Sequence, residues 1–282
     1  MKFVKPILKL LVSCIILYFV FRKIDISILI ETLKEAKIWL LCIAFISFLL
    51  SQFVSSLRLQ LFWSVLKIPL SKIENWKLYL ICMYYNLLLP GGIGGDGYKV
   101  YLLHQEYKTS KKQLVSALIF DRLAGLLALL LWFSFLFALY LGLQNSSIAP
   151  LLLLFMGLCS IPISYGIVKY FFIIYSPLYI SVLGYSILIQ GLQLITCLLI
   201  LLALGANDFI LPYLAVFLVS SIAAVIPITF GGAGARELTF LASAEYFPSI
   251  DVNVAISLGL LFYIISVLAS LLGIGYSFKQ ID

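Results

Sequence analysis

Eight apolar runs dominate this chain, at about 5–22, 38–66, 76–89, 114–143, 148–168, 178–205, 209–226 and 252–278. A helix needs roughly 20 apolar residues to cross a bilayer's hydrocarbon core, and most of these runs reach or approach that length. The chain has 282 residues, 63% of them apolar and 11% charged, whereas soluble domains carry about 25% charged residues. Too little polar surface remains to cover a water-soluble globule, which excludes a large soluble catalytic domain. The expected fold is all-α and polytopic, one transmembrane domain over 1–282 with candidate halves 1–143 and 144–282. Its N-terminal run resembles a signal peptide, but Phe21-Arg22-Lys23 stands where a small-residue cleavage site belongs. That run is therefore expected to persist as a first membrane helix.

Two junctions between runs are unusual. The run from Trp76 to Leu89 makes about 21 Å of helix, short for a core of about 30 Å. It leads directly into Pro90-Gly91-Gly92-Ile93-Gly94-Gly95-Asp96-Gly97. The run ending at Ile226 leads into Pro227-Ile228-Thr229-Phe230-Gly231-Gly232-Ala233-Gly234-Ala235-Arg236-Glu237. Prolines and glycines at this density cannot continue a helix. Broken backbone at membrane depth is tolerated where it lines a cavity or is buried in protein, and paired interruptions in two halves point to a transporter's binding site.

Lysine and arginine positions test the topology, because cytoplasmic loops collect them. If 76–103 and 209–247 are hairpins that return to the side they came from, eleven of nineteen basic residues fall inside and four outside. The other four, Arg58, Lys99, Arg122 and Arg236, stay in or near the membrane. If every run crosses fully, the count becomes seven inside and ten outside. The expectation is therefore six crossings plus two re-entrant hairpins from opposite faces, in an inverted-repeat-like arrangement with both termini cytoplasmic.

The same bias explains the net charge of +7 without nucleic acid, and no nucleic-acid partner is expected. Five scattered cysteines without a CxxC, and the single His104 beside Gln105 and Glu106, give no basis for a metal site. The cysteines read as small buried hydrophobes and His104 as a loop residue; no cofactor, metal or catalytic residue is expected. Gly92 to Gly97 form a literal GxGxxG, but a short apolar helix and a proline precede it instead of the strand a dinucleotide site requires.

The glycines can open helices near Gly97 and Gly234 whose first N–H groups attract an anion, or they can serve close helix packing. Charges at a membrane helix centre cost about 2.5–3.5 kcal/mol on insertion scales, so they normally pair or face a wet cavity. Arg58 and Asp121-Arg122 have room to reach toward the interface; Asp96, Arg236 and Glu237 follow the helix breaks and have less. The expected site is a shared polar cavity where arginines take phosphate and acids take an amine or a proton.

Asn86-Leu87-Leu88-Leu89-Pro90-Gly91, then Gly94-x-Asp96, Asp121-Arg122, and Pro227-x-x-x-Gly231-Gly232-x-Gly234-x-Arg236-Glu237, with Arg58 ahead of them, resemble the lysylphosphatidylglycerol synthase transmembrane-region, or flippase-like, family. Many relatives carry a basic residue just after the Pro-Gly, where this chain has Gly92-Ile93, a departure that bears on headgroup preference. The resemblance implies translocation of a charged lipid, such as lysyl-phosphatidylglycerol or a polyprenyl-phosphate carrier, across a prokaryotic cytoplasmic membrane. Membrane phospholipid is the implied partner, with a separate lipid-modifying enzyme chain as another. Bifunctional relatives add a soluble domain that transfers lysine from lysyl-tRNA to phosphatidylglycerol. This sequence ends at Asp282 after its last apolar run, so lipid handling alone is expected. Phosphatidylglycerol lysyltransferase activity remains the enzymatic alternative, and small-solute transport or a role in an envelope assembly the third.

Overall fold

The computed structural model describes residues 34–88, 94–144, 148–225, 235–245, 247 and 250–277, and every regular element among them is helical. The expected first helix at 5–22 lies outside the described residues. Two antiparallel helices form the centre, α1 (Ile38–Val65) and α6 (Tyr179–Ala203). Of the elements between them, α2 (Lys72–Leu88) and α3 (Gly94–Tyr107) are short, while α4 (Lys111–Leu143) and α5 (Ala149–Phe171) are long. A 3₁₀ turn at Ile173–Leu178 leads into α6. Then come α7 (Ile210–Val225), α8 (Ala235–Ala244), α9 (Val252–Leu271) and α10 (Ile274–Ser277). Five stretches are long and apolar enough to cross a membrane: α1, α4, α5, the 3₁₀ turn with α6, and α9 with α10. They coincide with five of the six full crossings expected from sequence. The protein is a polytopic helical membrane protein.

Helices α1 and α6 pack closely because α1 buries a stripe of small polar residues. Ser47, Ser51 and Ser55 recur every four residues, joined by Gln52, Ser56 and Arg58. Small side chains let backbones approach in lipid, where apolar burial supplies no driving force between helices. Their hydroxyls find backbone partners: Ser51 Oγ donates to Phe48 O at 2.7 Å, Ser55 Oγ to Ser51 O at 3.0 Å, and Ser47 Oγ crosses to Leu192 O at 3.0 Å. Lys37 N–H donates to Ala203 O at 2.9 Å and fixes the pair's register at one end.

The short elements form two hairpins. Helix α2 begins in a capping box, with Glu74 N–H donating to Ser71 Oγ (3.2 Å) and Ser71 N–H to Glu74 Oε2 (2.7 Å). It runs inward against α3, which returns to the same face; Leu103 of α3 shares a core with Leu114 and Tyr175 there. Helices α7 and α8 form the second hairpin from the opposite face. Asp251 N–H donates to Tyr213 OH at 2.7 Å, so the chain leaving α8 comes back beside the first turn of α7. Two packed clusters result. One lies near the first hairpin's face (Leu59, Phe62, Trp63, Leu78, Phe120, Tyr175) and the other near the second's (Phe48, Leu201, Phe217, Phe240, Phe262).

Lys67, Lys72, Lys108, Lys111, Lys112 and Lys169 occupy helix ends and turns on the first hairpin's face, whereas Lys34 and Lys37 lie at the other. Helix α5 is the most lipid-facing element, with Leu151, Leu152, Phe155 and Met156 exposed and only Gly157 and Val168 buried. His104 departs from the expected loop position. It sits in the last turn of α3, where its Nδ1 meets Thr109 O at 2.8 Å, closing a helix C-terminus.

Candidate functional site

The first hairpin owes its tightness to one glycine. A Cβ at Gly95 would overlap the backbone carbonyl of Cys82 on α2, so α2 and α3 can approach this closely only with hydrogen at that position. Asn86 secures the same crossing: its Oδ1 accepts the Gly95 N–H at 2.7 Å, satisfying one of the unpaired donors that open α3. Helix α3 starts at Gly94, three residues before the expected opening at Gly97. The Gly95 N–H is therefore engaged within the protein. On its other side α2 meets Gly273, where a Cβ would overlap the Leu80 carbonyl.

Asp121 and Arg122 are neighbours in sequence but not partners in space. Successive helical residues point about 100° apart, and α4 uses that divergence to hold two different elements. Asp121 faces α1, where Arg58 Nη2 donates to its Oδ2 at 2.9 Å and Arg58 Nε lies 2.7 Å from Oδ1. Arg58 Nη1 donates to Ser186 Oγ of α6 at 2.7 Å, and that hydroxyl donates on to Val182 O. Arg122 faces the hairpin: its Nε and Nη2 donate to Asp96 Oδ2 at 2.9 and 2.6 Å. Asp96 stands in the first turn of α3, where the helix dipole favours a carboxylate, and its Oδ1 also lies 3.4 Å from Lys99 Nζ. The Lys99 ammonium lies 5.5 Å from the Tyr79 ring centre, and Tyr79 OH donates to Gln52 Oε1 at 3.2 Å.

These contacts form two ion clusters that α4 holds through adjacent residues: Arg58 with Asp121, tied to Ser186 of α6, and an ionic network of Asp96 with Arg122 and Lys99, the latter beside Tyr79 of α2. The Arg58 and Lys99 side chains are 9% and 5% exposed, whereas Arg122 is 38% exposed. Arg122 is thus the cation of the three that an outside anion can most readily reach.

The second hairpin holds its arginine differently. Arg236, in the first turn of α8, donates from Nη1 to Ser221 Oγ of α7 at 3.2 Å. Its guanidinium lies 5.4 Å from the Phe217 ring centre and 4.9 Å from that of Phe262. Phe262 in turn meets Phe48 of α1 edge-on. Phe48 and Arg58 are ten residues apart, about 15 Å along α1, so the two arginine sites occupy different depths. Helix α9 spans between the hairpins, packing on α8 through one part and on α2 through another.

The structure therefore brings together Arg58, Asn86, Gly94, Asp96, Asp121 and Arg122, and sets Arg236 apart from them. Pro90, Gly91, Pro227, Gly231, Gly232, Gly234 and the Glu237 side chain lie outside the described residues. Sequence reasoning placed Lys99 in the membrane without a role and missed Ser186, Gln52, Tyr79 and Gly273; the four-residue recurrence of Ser47, Ser51 and Ser55 leading to Arg58 was a legible signal for that buried face. Among the described residues no group of three His, Cys, Asp or Glu could hold a metal ion.

A model of the lysylphosphatidylglycerol synthase TM region matches residues 7–180. No curated protein and no solved structure matches the chain. The matched stretch takes in Arg58, the whole first hairpin and the Asp121-Arg122 pair, and it stops short of Arg236. With well over half of its length matched, this chain belongs to the lysylphosphatidylglycerol synthase TM region family.

Proposed function

We propose that the protein translocates a phosphate-bearing lipid between the two leaflets of a prokaryotic cytoplasmic membrane, with its lysine-rich face toward the cytoplasm. The observation that carries this is Arg122 itself, a guanidinium that is partly open to its surroundings while tied to Asp96. A lipid phosphate is a strong bidentate partner for a guanidinium. On arrival it would take Arg122 from Asp96, and Asp96 would keep Lys99, which already lies beside it. That exchange loosens the hold of α4 on α3, so binding energy goes into freeing the hairpin. A ligand shifts such an equilibrium only by its differential affinity for the two states, and the Arg122–Asp96 pair supplies the difference. Arg236 and Glu237 would play the corresponding part near the other face. A charged headgroup crosses while its acyl chains remain in the bilayer.

The test is a leaflet-sidedness assay with purified protein in vesicles holding a fluorescent phosphatidylglycerol. Wild type is expected to expose label faster than Arg122→Ala and than Arg236→Ala/Glu237→Ala, and Arg122→Lys is expected to fall between. Wild-type translocation no faster than that of the variants overturns the proposal.

A further inference from the structure

We infer that the groove between α4, α5 and the start of α6 is a binding site for one anionic phospholipid of the leaflet on the lysine-rich face. One acyl chain lies in the groove, and the phosphate lies at Lys112. This site is separate from the ionic network and does not depend on translocation.

The groove has two recesses, one on either side of the stacked Phe120 and Phe172 rings. Its deeper part is a cleft of about 380 Å³ walled by α4 (Phe120, Leu123, Leu127, Leu130) and by Ile163 and Ile167 of α5. Three polar side chains border it, and each is satisfied within the protein. Ser160 Oγ donates to Gly157 O at 2.6 Å; Ser164 Oγ meets Ile161 O at 2.9 Å; Tyr179 OH reaches Ile161 O at 2.8 Å and Ser164 Oγ at 2.6 Å. The bordering hydroxyl protons are thus all engaged within the protein and every other lining side chain is apolar, which suits a hydrocarbon occupant. From Phe120 to Leu130 the cleft follows ten residues of α4, about 15 Å, half of a core of about 30 Å. That is the depth of a single leaflet.

One turn nearer the lysine-rich face, a second recess of about 280 Å³ lies against Lys112, Gln113 and Ser116 and the turn at 171–175. Lys112, Ser116, Phe120, Leu123, Leu127 and Leu130 follow one another at spacings of three and four, so both recesses lie along one stripe of α4. The charge here is one-sided. Helix α4 opens with Lys111 and Lys112, carries no acid in its first turn, and receives no side-chain cap from Ser110. Lysines at a helix N-terminus oppose its dipole, and an anion at that end is favoured by both. A phosphate above Lys112 with a chain below it matches the order of polar and apolar walls.

The experiment uses the full chain in phosphatidylcholine nanodiscs containing phosphatidylglycerol with a diazirine near one acyl-chain end, with crosslinks mapped by peptide mass spectrometry. Expected is labelling concentrated on Leu123, Leu127, Ile163 and Ile167, competed by unlabelled phosphatidylglycerol and poorly by phosphatidylcholine. Lys112→Gln should weaken that competition about fivefold, the contribution of one lysine near a membrane surface. Ile163→Trp, at an exposed position on the cleft wall, should remove labelling at Leu127. Labelling as strong on Leu152 and Phe155, or cleft labelling indifferent to headgroup and to Lys112→Gln, overturns the inference.

Discussion

The two hairpins share a topology and differ in how their charge is held. In α2–α3, Asp96 receives two hydrogen bonds from Arg122 and lies beside Lys99, while Arg58 and Asp121 bind each other one step away on α1 and α4. In α7–α8, Arg236 lies against the Phe217 and Phe262 rings, and its contacts include a hydrogen bond donated to the Ser221 hydroxyl. Charge-assisted hydrogen bonds are about twice as strong as neutral ones, whereas a cation over an aromatic ring gains about 0.5–2 kcal/mol. Among the described contacts, then, the first hairpin is held by charge-assisted pairs between helices, and the arginine of the second is held in part by aromatic rings.

The sharpest way to break that contrast is at Arg58. Removing one partner of a buried pair leaves the other charged and unpaired, at a cost of about 3–5 kcal/mol. Arg58→Ala is therefore expected to lower the thermal midpoint in detergent more than any other single change discussed. Adding Asp121→Ala should cost much less than the second single variant alone, because no buried charge is then stranded. If the two losses simply add, the pair is not one unit.

Gly95→Ala comes next. Its methyl group would overlap a backbone carbonyl that cannot rotate away, and forced overpacking of this kind costs about 1–3 kcal/mol. Gly97→Ala is the control within the same helix, since a Cβ there meets nothing within 4 Å. Equal thermal losses for the two would mean that the α2–α3 crossing is looser than its geometry. Arg236→Ala should lose at least the ring contacts, about 1 kcal/mol, with Arg236→Lys recovering part of it; no loss at all would mean that the rings do not hold the guanidinium.

Much of this was legible in the sequence. The apolar runs located all five described crossings, and the lysine count selected hairpins over full crossings because a topology error moves several lysines at once. The Gly-rich breaks fall between the two helices of each hairpin. What was not legible is partner choice. Asp121-Arg122 looked like a pair with room to reach the interface, yet helical geometry sends the two side chains to different neighbours, and only the packing of α1 and α3 against α4 decides which. Arg58, Asp96, Asp121 and Arg122 pair across helices, the first of the two ways in which a charge at membrane depth is accommodated. Gly273 gave no local signal at all, since its constraint is the Leu80 carbonyl of a helix nearly two hundred residues earlier.

The smallest expected effect lies where α2 begins. Hydrogen bonds from the Ser71 hydroxyl and backbone N–H hold the Glu74 carboxyl below the usual carboxylate range. A carboxyl whose pKa is lower in the folded protein stabilises the fold above its unfolded pKa of about 4.3 and loses that contribution as pH falls through the folded value. The first hairpin's outer end should therefore weaken on acidification below the ordinary carboxylate range, and Glu74→Gln should flatten that slope. Thermal midpoints of the two proteins, followed downward from neutral pH, are the measurement. Because Glu74 is open to solvent the difference should be small. A difference as large as that from Gly95→Ala would mean that the capping box, not the buried crossing, sets the hairpin's stability.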